Sequence, residues 1–347
     1  MSAAERTYLS ELFPEEIATA LSLKPFQGRQ VFQWIHQKKV FDVDEMTNLS
    51  KVLRAELKEN YGVNRLEPYR FSESAETETK KALLKLADGE TVETVFIPAK
   101  DRLTLCVSSQ VGCAVKCTFC ATGLSGYARN LTTGEIVEQA LYFLAGGEID
   151  ESRNPNIVYM GMGEPFHNYD AVVKSIRLLM HEEGLNLGAR RITVSTAGEV
   201  KGIERFAKED WQVRLSVSLH AANDELRNEL VPLNRKYNLE RLMDAIDVYV
   251  AETGRQMTFE WTLLEGVNDS LDTADELIRL VGDMKSHVNL IPYNPVEGLS
   301  YAPPHPSVCR AFKNRLEKHG VTATLRLERG QDIDAACGQL RRHTLSA

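Results

Sequence analysis

The chain lacks any apolar run approaching the roughly 20 residues that a membrane helix requires, so no membrane partner is expected. Its opening stretch, Met1 to Glu16, carries acids where a secretory leader needs a basic end and an apolar core. The expected location is therefore the cytoplasm, where thiols stay reduced. There is no excess of positive charge either. The formal net charge of -8 argues against nonspecific binding to nucleic acid, which depends on Lys and Arg neutralising phosphates. Solenoid-type repeats and low-complexity segments are also missing. What is there is ordinary for a globular protein, 43% hydrophobic and 26% charged. The 347 residues exceed one average domain and fit one large α/β domain with an accessory piece.

Cysteine is scarce and unevenly distributed. Four of the six fall between Cys106 and Cys120, and Cys113, Cys117 and Cys120 have the spacing C-x3-C-x2-C. Thiolates are the soft ligands that iron in a cluster selects, so a loop with this triplet suits one face of a 4Fe-4S cube. Three protein ligands leave one iron open. A cluster that only carries electrons is normally closed by a fourth cysteine, and none follows in the local run. An open iron can chelate the amino and carboxylate groups of S-adenosylmethionine and pass one electron to its sulfonium, releasing a 5'-deoxyadenosyl radical. The protein's share of that chemistry is binding and orientation. Two other readings compete. Zinc uses the same thiolates but usually takes a fourth Cys or His at short spacing, and His167 lies far along the chain. Inert buried cysteines rarely fall into a tight triplet.

Residues 1–75 read as a small helical accessory domain. Phe26, Val31, Phe32, Trp34 and Ile35 form one apolar stripe, and Val52, Leu53, Leu57 and Tyr61 a second. Gly28-Arg29-Gln30 suits either a helix opening toward a phosphate or an ordinary helical core, the latter being preferred. Residues 76–98 carry two alternating runs around Asp88-Gly89, a β-hairpin signal. On its second strand Glu93 shares a face with Val95 and Ile97, where a carboxylate is usually a solvated rim residue. Residues 99–332 alternate strands and helices. Strands are expected at Leu103 to Ser109, Asn156 to Gly161, Arg191 to Ser195, Val213 to His220, Met257 to Leu264, Val288 to Tyr293 and Thr322 to Leu327. Helices are expected at Thr133 to Leu144, Asp170 to Glu182, Leu239 to Glu252 and Asp272 to Val281. Repeated β-α units imply an α/β fold with a parallel sheet and helices outside, and periodicity does not decide between an open sheet and a barrel. Residues 333–347 form a C-terminal segment that carries Cys337.

In a parallel barrel the loops after the C-terminal ends of the strands build the active site. The cysteine loop, Gly163-Glu164-Pro165, Ser195, Ser218 to His220, Asn294 and Arg329 onward all fall at such ends. Gly163 lets backbone approach a ligand closely, and a fixed carboxylate at Glu164 can pair with an ammonium group. His220 alone is more often a satisfied core histidine. Cys309 shares a helical face with Phe312 and Leu316 and reads as a small buried hydrophobe. If the sheet closes as a barrel, Cys106 and Cys337 converge on its mouth, as a disulfide, a redox switch or a catalytic pair. Basic residues gather at Arg310, Lys313, Arg315, Lys318, Arg326, Arg329, Arg341 and Arg342, and at Lys80, Lys81 and Lys85. Solvated helices are the commoner explanation for such groups.

The triplet is the signature of the radical SAM superfamily. Cys106 to Gly123, Met160-Gly-Met-Gly-Glu-Pro165, Thr193-Val-Ser-Thr-Ala197, Ser216-Val-Ser-Leu-His220, Val231-Pro-Leu-Asn-Arg-Lys236, Asn289-Leu-Ile-Pro-Tyr-Asn294 and Arg329 to Leu340 together resemble the RlmN/Cfr family of RNA adenine methyltransferases, most closely its RlmN branch. The resemblance implies a partial (β/α)6 barrel, a 4Fe-4S cluster on Cys113, Cys117 and Cys120, and S-adenosylmethionine held by Gly163, Glu164, Ser195, Ser218, Leu219, His220 and Asn294. It implies methylation at carbon 2 of an adenine in the peptidyl-transferase region of 23S rRNA and of the adenine beside the tRNA anticodon, with the N-terminal helices helping to hold RNA. Adenine carbon 2 is electron-poor and cannot attack a sulfonium methyl. In this family one S-adenosylmethionine therefore methylates the cysteine matching Cys337. A second is cleaved to a radical that takes hydrogen from the S-methyl group, and the resulting carbon radical adds to the ring. The cysteine matching Cys106 resolves the adduct by forming a disulfide with Cys337, and Glu93 is the matching base for the ring proton. The target adenine must leave its stack to be reached. An external electron donor is implied, and the chain is expected to act as a monomer. Two alternatives stand beside this reading: Cfr-like methylation at carbon 8, and a non-catalytic iron-sulfur protein that binds RNA and senses oxidation through Cys106 and Cys337.

Overall fold

The computed structural model describes residues 7–64, 66–100, 102–145, 155–326 and 329–341. The N-terminal part is helical, as its stripes require. A short strand β1 (Thr7–Tyr8) leads to α1 (Pro14–Ala20), α2 (Pro25–Phe32) and α3 (Lys51–Asn60), and β1 pairs with β2 (Tyr61–Gly62). Proline opens both α1 and α2, where a missing N–H costs nothing. Ser50 caps α3 by accepting from the Leu53 N–H. Gly28 is a packing residue: a Cβ there would sit 2.4 Å from the Pro14 carbonyl, so α1 and α2 touch at backbone distance. Two stripe residues face solvent instead, Phe26 at 49% and Val52 at 79% exposure. Single exposed apolar side chains are normal. The helical part docks on the following domain through Glu138, a buried carboxylate that accepts from the Ser10 hydroxyl and from the Leu66 N–H at 3.0 Å.

The helices of this part end at Asn60. Glu67–Glu73, within the stretch expected to be helical, is a strand, β3, and begins the main sheet. Next come β4 (Lys80–Lys85) and β5 (Thr91–Ala99), the hairpin around Asp88-Gly89, in antiparallel register Lys85↔Thr91, Leu83↔Glu93 and Lys81↔Val95. β6 (Arg102–Cys106) closes this antiparallel group against β5. A small ribbon, β7 (Gln110–Gly112) with β8 (Tyr127–Asn130), brackets the short helix α4 (Ala121–Leu124) and precedes α5 (Thr133–Ala145).

From β6 onward the sheet is parallel, through β9 (Asn156–Tyr159), β10 (Ile192–Thr196), β11 (Arg214–Ser218), β12 (Met257–Leu263), β13 (Ser286–Pro292) and β14 (Ala323–Leu325). The crossovers are α5, α6 (Tyr169–Met180), α7 (Val200–Phe206), α8 (Asp224–Leu230) with α9 (Leu239–Thr253), α10 (Leu271–Val281) and α11 (Pro306–Lys318). The chain between β6 and β14 thus makes six β-α units. Ten strands lie side by side in chain order from β3 to β14. One cavity of about 1000 Å3 is lined by residues from every strand from β5 to β14 of that order, so the sheet wraps around it as a partial barrel.

Period-2 alternation sorts the barrel's two faces. Leu105, Ile157, Val194, Leu215, Val217, Phe259, Trp261, Val288 and Leu290 are buried outward, beneath the helices. Their neighbours Thr104, Asn156, Thr193, Arg214, Thr258, Glu260, His287 and Asn289 point into the cavity. A lumen with polar walls is not a packing core, so it is available for a ligand. No helix among the described residues is long and apolar enough to cross a membrane. Leu327 and Arg342, counted in the last strand and the C-terminal basic group, lie outside the described residues.

Candidate active site

The cysteine loop projects from the top of the barrel, at the C-terminal end of β6, on a neck made by β7 and β8. The Cys113 N–H donates to the Gly126 carbonyl at 2.9 Å. Gly112 has φ +77°, and a Cβ there would meet that carbonyl oxygen at 1.8 Å, so only glycine closes the neck. Cys113, Cys117 and Cys120 line one wall of an upper chamber. Burial pushes the Cys113 thiol up to about 12 and Cys117 well above its ordinary value, with the neighbouring thiols adding to both. A metal bound by these thiols would have to displace their protons, as at thiol sites generally. No three of the described His, Cys, Asp and Glu side chains are arranged to hold a single metal ion. The three thiols instead face a chamber with room for a wider group, which fits the donor set of a cluster.

The opposite walls of the chamber are the ends of β9, β10 and β11. Gly163, Glu164, Ser195, Ser218 and His220 all line it. Gly163 has φ +101°, and a Cβ would lie 2.6 Å from the Gln110 Cβ. Gln110 in turn accepts the Glu164 N–H at 2.8 Å. The Glu164 carboxylate accepts the N–H groups of Phe166 at 3.0 Å and Ala197 at 2.7 Å. Burial raises its pKa to about 7 in spite of those donors. A ligand ammonium would offset that desolvation and favour the charged form. His220 adopts φ +59°, packs edge-on against Phe119 at 4.7 Å and accepts the Thr262 N–H on Nδ1 at 3.0 Å. Burial lowers its pKa to about 3, so the ring is neutral.

Leu219 and Asn294 act differently from the other five. Leu219 is fully buried and contributes backbone, its N–H donating to the Glu260 carbonyl at 3.0 Å. Asn294 does not line the chamber. Its Nδ2 donates to the Cys337 carbonyl at 3.2 Å, and its Oδ1 accepts from Gln331 at 2.6 Å. It thus braces the C-terminal segment.

That segment crosses the mouth as a strap. Gly338 O accepts the Ala121 N–H at 2.8 Å, Leu340 O accepts the Thr122 hydroxyl, and Gln339 donates to the Pro295 carbonyl at 3.0 Å. Cys337 is brought to the junction of the upper chamber and the larger lower cavity, and it lines both. Cys106 lines the lower cavity only. The two are separate thiols here. Burial, with the charge of Cys337 second, pushes Cys106 up to about 12, so the pair lie within electrostatic reach.

Glu93 is not a rim residue. It is 1% exposed, on the lumen side of β5, and lines neither chamber directly. Its Oε1 lies 3.0 Å from Lys81 Nζ, and its Oε2 accepts the Arg341 N–H at 2.8 Å. The strap and the hairpin together cover it.

Sequence reasoning passed over Arg227. It is 1% exposed and donates to the carbonyls of Leu219 at 3.0 Å and Ala197 at 2.7 Å, tying the ends of β10 and β11 together. Burial lowers its pKa to about 10, while Cys117 and Asp224 favour its charge. Within Asp224-Glu-Leu-Arg-Asn-Glu it reads as one more surface charge, and no sequence signal separates it.

Comparison with known proteins follows the same outline. Residues 107–280 match the family model of the Radical SAM superfamily, and residues 9–63 match that of the Ribosomal RNA large subunit methyltransferase N-terminal domain. The chain is 47% identical over 316 residues to the probable dual-specificity RNA methyltransferase RlmN of Staphylococcus carnosus, covering 91% of this chain and 86% of the relative. It is 49% identical over 321 residues to the dual-specificity RNA methyltransferase RlmN of Halorhodospira halophila, covering 92% and 88%. The crystal structure of a radical SAM methyltransferase from Sphaerobacter thermophilus superposes with a TM-score of 0.93 at 47% identity, covering 96% of this chain and 99% of that one.

Proposed function

The chain belongs to the RlmN family of the radical SAM superfamily, and from that premise we propose that it methylates carbon 2 of one adenine in the peptidyl-transferase region of 23S rRNA and of the adenine beside the anticodon in tRNA. The methyl group travels by way of an S-methyl group on Cys337, at two S-adenosylmethionine per turnover. When bound, a 4Fe-4S cluster open at one iron and S-adenosylmethionine supply an electron from an external donor, the methyl group and a hydrogen-abstracting radical.

The residues divide the remaining work. Cys113, Cys117 and Cys120 hold the cluster. Glu164 takes the ammonium of S-adenosylmethionine, Gly163 admits it closely, and Ser195, Ser218 and His220 line its bed, with Leu219 and Asn294 behind them. Cys337 carries the methyl carbon and Cys106 releases the product by closing a disulfide with Cys337. Glu93 is the base for the ring proton, a role it can take only once the strap and hairpin that cover it uncover its carboxylate.

The observation that carries this reading is the position of Cys337 at the junction of the two chambers. A thiol there faces the cofactor chamber above and a substrate entering from below. A polyanionic substrate is favoured by the rim of the lower cavity. Arg102, Arg190, Arg191 and Arg214 gather there in a chain whose net charge is -8. A carbon as electron-poor as adenine C2 needs a radical rather than a polar methyl transfer, which gives a reason for a second thiol.

Substituting Cys337 tests the assignment. Cys337→Ala is expected to keep its iron and to bind S-adenosylmethionine while methyl transfer to RNA falls below detection. Retained methylation would reject the carrier role. Cys106→Ala is expected to accumulate protein covalently joined to RNA, visible as a mass shift on a denaturing gel. Loss of activity without an adduct would make Cys106 structural.

A further inference from the structure

Glu260 is a buried lumen carboxylate that the chemistry above leaves unused. It sits on β12, 4% exposed, and like Cys337 it lines both the upper and the lower chamber. Its Oε1 accepts from the Ser216 hydroxyl at 2.8 Å and from Asn289 Nδ2 at 3.0 Å, which fixes the plane of the carboxylate. Its Oε2 has no hydrogen-bond donor among the described residues. Arg326 Nη1 stands 3.9 Å away, outside hydrogen-bond distance, and Arg326 lines both chambers too. Leaving a carboxylate oxygen buried without a donor is costly, so the lumen presents an acceptor in a fixed direction beside a guanidinium donor.

We propose that Glu260 is a specificity-determining residue whose Oε2 accepts a hydrogen bond from the exocyclic amino group of the substrate adenine, with Arg326 facing an adjacent ring nitrogen. The inference rests on the reading of the site as an RNA adenine methyltransferase. Adenine presents an amino donor flanked by ring-nitrogen acceptors, which matches an acceptor beside a donor. Guanine carries a carbonyl oxygen at the same position and would set oxygen against oxygen. Besides the Arg326 guanidinium, the donors that a bound group would bring to Oε2 from the upper chamber are those of the cofactor, chiefly its ribose hydroxyls. The base is favoured because Glu260 also borders the lower cavity, which is lined by Cys106 and rimmed with arginine. A base drawn out of its stack is read by such hydrogen bonds on its edge.

The test crosses a substitution in the protein with a deletion in the substrate. Reconstituted holoenzyme, wild type and Glu260→Ala, is given two RNA oligonucleotides that differ only at the target, adenosine in one and purine ribonucleoside without the amino group in the other. Methyl transfer from labelled S-adenosylmethionine is read as kcat/KM. Wild type is expected to favour adenosine by about 10- to 100-fold, the range for a hydrogen bond to a buried charged group. Glu260→Ala is expected to lose that preference by slowing on adenosine alone, and Glu260→Gln, which keeps an acceptor of the same shape, to restore part of it. Equal slowing on both RNAs would assign Glu260 a structural role and overturn the proposal. A raised KM for S-adenosylmethionine with the base preference intact would overturn it in favour of the cofactor. The wild-type comparison alone also decides, since absence of a preference refutes the proposal whether or not the variants fold. Failure of wild type to methylate either RNA would overturn the preceding reading and this one with it.

Discussion

Replacing Lys81 with Met strands a buried charge, and the consequence can be worked out from the contacts. Lys81 lies on the lumen face of β4, its side chain 12% exposed, with Nζ 3.0 Å from Glu93 Oε1 and donating to the Asp334 carbonyl at 3.0 Å. Glu93 has 2% of its side chain exposed. Removing one partner of a buried pair costs about 3 to 5 kcal/mol, because the other charge is left uncompensated. The Arg341 N–H still serves Oε2 and puts this case at the lower end, about 3 kcal/mol. An unfolding entropy of about 2 cal/mol/K per residue converts that loss to a fall of about 4 °C in the thermal midpoint of a chain this long. Glu93→Gln leaves Lys81 with its carbonyl partner and some access to water, so it costs less. In the double variant no stranded charge remains, and the two effects should fall short of additivity by about 2 kcal/mol. Differential scanning calorimetry of the four proteins at matched iron content measures the cycle. A midpoint for Lys81→Met within 1 degree of wild type, or strict additivity, would refute the buried pair as described.

Two further outcomes are specific to this structure. Gly163→Ala must place a Cβ 2.6 Å from the Gln110 side chain at φ +101°, combining backbone strain with overpacking at about 1 to 3 kcal/mol each. Equilibrium dialysis should show S-adenosylmethionine affinity reduced by about tenfold or more, and unchanged affinity would contradict the close approach. His36 is buried against Phe32, with ring centroids 4.2 Å apart, and its pKa is lowered to about 3 by burial first and by His181 second. The unfolded chain therefore binds a proton below the ordinary value of about 6.5 that the folded chain refuses. Stability is complete above that pH and drains away as the pH falls toward 3, by about 2 kcal/mol between pH 7 and pH 5. Denaturant titrations at both pH values should show His36→Phe losing about 2 kcal/mol less than wild type, and an identical pH dependence would reject the neutral buried ring.

Much of this architecture was legible in residue order because its signals are local. Asp88-Gly89 between alternating runs specified the hairpin, and the recurrence of strand and helix stretches specified a parallel sheet with helices outside. The strand expected at Leu103 to Ser109 stops at Cys106 because Ser108 turns its N–H to the Gln139 side chain and Ser109 bonds the Met162 carbonyl. What stayed hidden depends on partners distant in the chain. Glu93 looked like a rim residue because its cover comes from Lys81 on the neighbouring strand and from Arg341, 248 residues away. Asn294 falls at a strand end, and the Cys337 strap that it braces lies 43 residues further along the chain. β3 carries Tyr69 at 53% and Phe71 at 46% exposure on a sheet edge, so it lacks the buried alternation that would mark a strand. Arg227 is recognisable as buried only once β10 and β11 have brought their carbonyls to it.

The central claim is that a methyl carbon passes from S-adenosylmethionine through Cys337 to carbon 2 of adenine in RNA. Anaerobic incubation of the reconstituted protein with ribosomal RNA, a reductant and S-adenosylmethionine deuterated in its methyl group, followed by mass spectrometry of the digested nucleosides, measures it directly. The account predicts 2-methyladenosine whose methyl group has lost one deuterium, the atom abstracted while the carbon sat on sulfur. A methyl group that kept all its deuterium, or one found on carbon 8, would contradict it.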